Sequence, residues 1–293
     1  MSNLQKNIKK IINQGKTILC VGPMSKNCVD AAIELSDYHN IYIFLIASRR
    51  QVDSQKFGGG YVNNWSTKEF SKYVKNKCKR KKIILARDHG GPWQNFQDYK
   101  NKISLKKAIN NAKYAFKDDI DNGFKFLHLD TSVSPHLKKV KTNDAIKRLK
   151  DIYSYLSKYS KKIKKEIIFE IGTEEQSGTT NTEIEIKKTL SSINMFCKKK
   201  KIAKPLFMVM QTGTKVLEDR NVGSFESPVK IKNELSVEIQ LPKMLDICTK
   251  YKIYMKQHNT DYLSNDSLKW HPKLGIHAAN VAPEFAIVET RKL

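Results

Sequence analysis

Long apolar runs are missing from this chain of 293 residues. The two longest, Ile41–Ala47 and Leu206–Met210, fall well short of the roughly 18–20 residues that cross a bilayer as a helix, so no membrane-spanning helix is expected. The start, Met1–Lys16, is lysine-rich but has no apolar signal core or small-residue cleavage site, and an intracellular, cytoplasmic protein is expected. Cysteine is sparse. Its five copies, Cys20, Cys28, Cys78, Cys197 and Cys248, show no C-x-x-C spacing. An odd number cannot close into a full set of internal bridges, which points to reduced, structural thiols.

Arginine is scarcer than the charge suggests: the net charge is +25, yet only seven of the 54 basic residues are arginine. Lysine is the poorer reader of bases. The lysines gather in helix-like stretches, 144–165 and 183–201, and in runs such as Lys198–Lys201. The excess therefore reads as solvated helix faces and ends, and nucleic acid is not the expected partner. The glycine-rich turn of a dinucleotide-binding open sheet is also absent, since the first turn reads Gly22-Pro23-Met24-Ser25. Gly58-Gly59-Gly60 lies well past the second strand and reads as a flexible loop before a helix that starts at Ser66-Thr67.

What is present is alternation. Short aliphatic and β-branched runs recur, most of them beginning about 40 residues apart, each followed by a longer amphipathic segment, the pattern of βα units. Eight strands are expected, at Thr17–Gly22, Ile41–Ala47, Ile83–Ala86, Phe124–Leu129, Ile167–Ile171, Leu206–Met210, Ile253–Lys256 and Gly275–Asn280. Runs apolar at nearly every position suit parallel strands buried on both faces. The expected architecture is α/β, a single-domain (β/α)8 TIM barrel over residues 1–293, with a helix beginning near Pro283.

In such a barrel the chemistry sits at the C-terminal ends of the strands, and here those ends are polar. The third ends Arg87-Asp88-His89-Gly90-Gly91-Pro92-Trp93. Strand alternation aims Asp88 and His89 apart, but the two glycines let the chain turn and present both. The fourth ends His128-Leu129-Asp130-Thr131-Ser132, with His128 and Asp130 on one side, and the fifth carries Glu170 and then Glu174-Glu175. Gln211-Thr212-Gly213-Thr214 follows the sixth, Gln257-His258-Asn259-Thr260-Asp261-Tyr262 the seventh, and His277 and Asn280 belong to the eighth. Any one of these residues alone reads as a cap or a hydrogen-bonded core group. Converging on one rim, two histidines and a carboxylate make a divalent-metal set with room for substrate.

Five motifs in order resemble the Z-type subunit of class II D-tagatose-bisphosphate aldolase, a barrel family that also includes ketose and ketose-phosphate 4-epimerases. They are Gly58-Gly59-Gly60-Tyr61, Asp88-His89-Gly90-Gly91-Pro92-Trp93, His128-Leu129-Asp130-Thr131-Ser132, Ile171-Gly172-Thr173-Glu174 and His258-Asn259-Thr260-Asp261-Tyr262. The resemblance implies a divalent metal, zinc or alternatively manganese, held by His89, Glu174 and His258, with Glu170 a rival ligand. It puts Asp88, Asp130 and Asp261 near a ketose or ketose-phosphate substrate.

Asp88, next to ligand His89, is then the expected acid/base, with Asp130 or Asp261 the alternate. Gln211, Gly213 and Asn280 are expected to hold the substrate, with the amides of Gly213 and Gly275 offered to a phosphate. The family also implies a second role, a non-catalytic subunit that stabilises a separate class II aldolase subunit, or a homo-oligomer. Departures stand at Gly90, at Glu175-Gln176-Ser177-Gly178-Thr179 and at Gly275–Glu284. The chain is shorter than typical members, and a missing C-terminal extension is expected.

Overall fold

A computed structural model describes residues 3–172, 182–212, 214–217, 219–225, 227, 229, 230, 232 and 235–292. In chain order the elements are α1 (Asn3–Asn13), β1 (Ile18–Val21), α2 (Lys26–His39), β2 (Ile43–Ser48), α3 (Thr67–Lys77), β3 (Ile83–Gly90), α4 (Phe96–Lys100) and α5 (Leu105–Asp121). They continue as β4 (Phe126–Asp130), α6 (Thr142–Lys162), β5 (Ile168–Gly172), α7 (Glu183–Lys200), β6 (Phe207–Met210), β7 (Lys215–Val216) and β8 (Asn221–Val222). The chain finishes with α8 (Val237–Tyr251), β9 (Tyr254–Gln257), α9 (Asn265–Leu274), β10 (Ala278–Val281) and α10 (Pro283–Thr290).

Eight of these strands close a parallel barrel in the order β1, β2, β3, β4, β5, β6, β9, β10, with β10 pairing back to β1. All eight coincide with the apolar runs of the sequence. The helix expected at Ser66-Thr67 forms as α3, because Ser66 and Glu69 make a reciprocal capping box that satisfies two otherwise orphaned backbone donors. Lys198, Lys199 and Lys200 do form the last turn of α7, where their charges oppose the negative end of the helix dipole. All five cysteines are free and buried. Among the described residues no helix is long and apolar enough to cross a membrane.

Alternation along each strand sends one set of side chains to the helices and the other into the barrel. Leu45, Leu85, Leu127, Phe169, Met208 and Met255 pack outward in the large helix-covered core. Inside, Phe44, Phe126 and Phe207 stack with ring centroids 4.4 and 6.1 Å apart, beside Ile18, Ile84 and Ile168. Each such ring removed from water contributes roughly 2–3 kcal/mol. The floor below them is closed by α1, whose Ile8 and Ile12 join the same cluster. The lysine-rich start therefore supplies a plug with one apolar face.

In the Gly58–Gly60 loop, Gly58 faces open space, while Gly59 and Gly60 pass close to neighbouring backbone. A Cβ on Gly60 would come 2.1 Å from the Gln51 carbonyl oxygen, and one on Gly59 3.1 Å from that of Trp65. Glycine is needed there for close backbone approach.

Candidate active site at the strand ends

The end of β3 does what plain strand alternation forbids. The pairing of β3 with β4 shifts register between Arg87 and Gly90, and His89 takes a left-handed backbone, φ 41°. This bulge turns His89 to the same side as Asp88. The two glycines have a different task from the one expected of them, since neither adopts a positive φ. A Cβ at Gly90 would meet the Phe116 ring at 2.3 Å, and one at Gly91 would lie 1.7 Å from the Asp130 carbonyl oxygen. They let the loop pass close to its neighbours while His89 itself makes the turn.

Asp88, His89 and His258 are brought together, each offering a ligand atom within 4.8 Å of the others. His258 follows β9, and its backbone N–H donates to the Met210 carbonyl. His89 Nε2 and His258 Nε2 face each other at 3.0 Å. Asp88 Oδ2 is 3.8 Å from His89 Nε2, and its Oδ1 is 3.3 Å from His128 Nδ1. Burial alone would raise the Asp88 carboxyl, but His89, His128 and Lys256 around it hold it well below the usual carboxylate range. Removal from water, with His89, His128 and Lys256 close by, pushes His258 down to about 3, leaving a neutral imidazole.

Asp130 stands behind His89 rather than on the cavity wall. Its Oδ2 meets His89 Nδ1 at 2.9 Å and accepts from Gln94 Nε2 at 2.7 Å, while its Oδ1 accepts from the Ser132 N–H and hydroxyl at 3.0 and 2.6 Å. Burial opposes its charge, yet His89, His128 and Ser132 lower it overall. In the tautomer that donates Nδ1–H to this carboxylate, His89 presents a bare Nε2 lone pair toward His258.

Asp261 lines the cavity. Its Oδ1 accepts from the N–H groups of Ala282 and Glu284 at the start of α10, at 2.8 and 3.0 Å. Burial, with Glu284 adjacent, nevertheless pushes its carboxyl up to about 6. Asn280 is 5% exposed and, among the described residues, neither of its side-chain polar atoms has a hydrogen-bond partner. A buried amide left so is costly unless a ligand completes it. Gln211 is buried at the end of β6, its Oε1 without a partner among the described residues, but it does not line the same cavity.

Glu170 does not join the ligand cluster, because its Oε2 pairs at 2.8 Å with Lys256 Nζ and both side chains are fully buried. His277 precedes β10, and its Nδ1 accepts from the Met255 N–H at 3.0 Å, so it belongs to the opposite end of the strand. Glu174 and Gly213 lie outside the described residues. His128 and Lys256, which the sequence reading assigned no role, are nonetheless in the site. Tyr254, Lys256 and His258 alternate on the same face of one strand, and that spacing was the available signal.

The cavity over these groups holds about 360 Å³ and is lined by Asp88, His89, His258, Asp261, Asn280 and Arg50, among others. Two imidazole nitrogens and a carboxylate converging on one point are the chemistry of a divalent-cation site with positions left open. The residues present fit such an ion.

Comparison with known proteins agrees with this architecture. The sequence matches the family of the D-tagatose-1,6-bisphosphate aldolase subunit GatZ/KbaZ-like over residues 1–283. No curated protein matches. Among solved structures, a probable tagatose 6 phosphate kinase from Sinorhizobium meliloti 1021 superposes with TM-score 0.72 at 17% identity, covering 92% of this chain and 66% of its own. The YdjI aldolase from Escherichia coli K12 gives 0.61 at 12% identity, with 99% and 86% covered. A fructose-bisphosphate aldolase from Campylobacter jejuni gives 0.61 at 13% identity, with 97% and 76% covered. At these identities the likeness establishes the barrel fold. The chain spans slightly less than two thirds of the first of these proteins.

Proposed function

The chain belongs to the D-tagatose-1,6-bisphosphate aldolase subunit GatZ/KbaZ-like family, and from that premise we propose that it acts on a ketose or ketose phosphate by metal-assisted aldol cleavage or 4-epimerisation. The observation that carries this reading is the convergence of His89 Nε2 and His258 Nε2, 3.0 Å apart, beside the Asp88 carboxylate at the base of an open cavity. His89 and His258 hold the divalent ion, zinc or manganese, with Asp88 alongside and Glu174 as the further carboxylate ligand. A cation bound there would serve as a Lewis acid toward the ketose carbonyl.

The chain's own groups divide the remaining work. Aldol cleavage between C3 and C4 needs a base for the C4 hydroxyl proton and an acid that protonates C3. In contrast, 4-epimerisation re-forms the C3–C4 bond on the other face of the aldehyde and needs the proton returned to the C4 oxygen. Asp88, whose carboxyl is held well below the usual range by the neighbouring His89, His128 and Lys256, takes the proton. Asp261, on the same cavity wall and with a carboxyl near 6, keeps one available. Two carboxyls pushed in opposite directions by their surroundings are a recurrent acid/base arrangement. Asn280 offers its amide to substrate oxygens, and Gly213 is a further substrate contact. Asp130 acts on the reaction only by orienting His89. Buried free thiols agree with a reducing, cytoplasmic setting.

The test is metal analysis of the purified protein joined to a screen of ketoses and ketose phosphates for cleavage and 4-epimerisation. About one bound divalent ion is expected, lost in His89→Ala together with turnover. Unaltered turnover by metal-free protein would refute the proposal. The family description as an aldolase subunit favours a second reading, in which the barrel stabilises a separate class II aldolase subunit. Co-purification as a stable heteromer with no activity of the isolated chain supports that reading, whereas activity of the isolated chain rejects it.

A further inference from the structure

The segment that carries His258 and Asp261 is pinned residue by residue from several directions. The His258 N–H donates to Met210 of β6, and the Thr260 N–H and hydroxyl both donate to the Asn280 carbonyl of β10, the latter at 2.6 Å. The Asp261 carboxylate caps the backbone of Ala282 and Glu284. Two of its residues, Asn259 (φ 62°) and Tyr262 (φ 57°), take the left-handed conformation that side-chain-bearing residues resist, tyrosine more than asparagine. A turn of this kind persists only where its surroundings over-determine it.

One further tie comes from outside the (β/α)8 frame. The β7–β8 hairpin, inserted between β6 and α8, places Asn221 against the segment. The Asn221 Nδ2 donates to the Asn259 carbonyl and to the Asp261 carbonyl, both at 2.9 Å. One amide group thus spends both its hydrogens on the two carbonyls that bracket Thr260. Asn221 is 9% exposed, and among the described residues its Oδ1 has no hydrogen-bond partner. A buried acceptor left unpaired is unfavourable, so the side chain is placed for what its NH2 group does.

We propose that Asn221 is a positioning residue, and that the β7–β8 hairpin serves to lock the His258–Tyr262 turn so that His258 Nε2 and the Asp261 carboxyl face the cavity together. The inference rests on the metal-site reading for its consequence, while the lock itself is independent of any metal. Neither Nδ2 contact can be made by aspartate, whose oxygens would repel both carbonyls at unchanged volume, nor by alanine.

The experiment compares wild type, Asn221→Asp and Asn221→Ala by Co2+ titration with the visible spectrum of the bound ion, by amide hydrogen exchange across 259–262, and by thermal unfolding. Both variants are expected to bind Co2+ about 10-fold or more weakly, with an altered Co2+ spectrum, and to exchange the 260–262 amides at least about 10-fold faster. Unfolding temperature should fall by no more than a few degrees. If Asn221→Asp does not fold, Asn221→Ala is judged on the same readings. Unchanged Co2+ affinity and unchanged exchange in a folded variant would overturn the proposal. Wild type that fails to bind Co2+ defeats the metal reading alone, and exchange at 260–262 then decides the role of Asn221.

Discussion

His89 and Asp130 form a buried imidazole–carboxylate pair, Nδ1 to Oδ2 at 2.9 Å, with the carboxylate saturated by Gln94 and Ser132. In the tautomer with Nδ1–H directed at Asp130, the pair leaves Nε2 of His89 bare and fixes where it points. A partner of this kind raises ligand basicity and restricts ring rotation. Asp130→Asn keeps the shape and removes the charge. It should weaken binding of Zn2+ about 10- to 100-fold by calorimetric titration. Unchanged affinity would show that the ring is held in place without this carboxylate.

The two glycines after His89 should respond to alanine in different ways. At Gly90 the nearest obstructing group is the Phe116 side chain, with Arg87 Cγ also at 2.9 Å, and at Gly91 it is the backbone of Asp130. Overpacking of a side chain costs about 1–3 kcal/mol and can be relieved by trimming the neighbour. Gly90→Ala should therefore lose stability that Phe116→Leu partly restores in the double variant, with a coupling on the order of 1 kcal/mol in urea unfolding. Gly91→Ala should be more damaging and should gain nothing from Phe116→Leu. Strict additivity of Gly90→Ala and Phe116→Leu would show that the contact is not the source of the cost.

The barrel was legible in the sequence because strands buried on both faces leave runs that are apolar at nearly every position. Ile41–Ala47 and Leu206–Met210 are of this kind, and they supply most of β2 and all of β6. The plug helix α1 was not read, though Leu4, Ile8, Ile11 and Ile12 fall on one helical face, because its lysines dominate the composition. The β7–β8 hairpin has two residues per strand, too few for any periodicity to register.

Strand ends located Asp88, His89, His258, Asp261 and Asn280, which line one cavity. They could not distinguish a residue facing that cavity from one backing a ligand, as Asp130 does. The bulge at His89 has no pattern of its own, and the glycines beside it suggested that they make the turn, where the structure has them in a tight approach.

Lys256 and Glu170 make a second test of what fills the barrel. Their ion pair, 2.8 Å long, is fully buried beneath the site, where desolvation offsets most of the attraction. Removing one partner strands the other, so Lys256→Met alone should cost about 3–5 kcal/mol in urea unfolding. The double variant Lys256→Met with Glu170→Gln should recover much of that loss. Equal penalties in the single and double variants would mean that the two charges are not coupled.

Asp261 predicts a pH dependence whose sign follows from burial. Its carboxyl is near 6 in the folded protein against 3.8 for the unperturbed group, so the folded state binds this proton more tightly than the unfolded chain. Its contribution therefore favours the folded state less and less as pH rises from about 4 through 6, and the full penalty is present above that. A shift of about two units corresponds to about 3 kcal/mol as an upper figure. The amide introduced by Asp261→Asn keeps an acceptor for Ala282 and Glu284 but cannot ionise. The stability of Asp261→Asn relative to wild type, measured by urea unfolding of metal-free protein, should thus be more favourable at pH 8 than at pH 4.5. Other titrating groups largely cancel in that difference, with Glu284 the neighbour to check by Glu284→Gln. A difference that stays flat across this range would mean that Asp261 is ionised at little cost, and that the second proton of the site must be carried elsewhere.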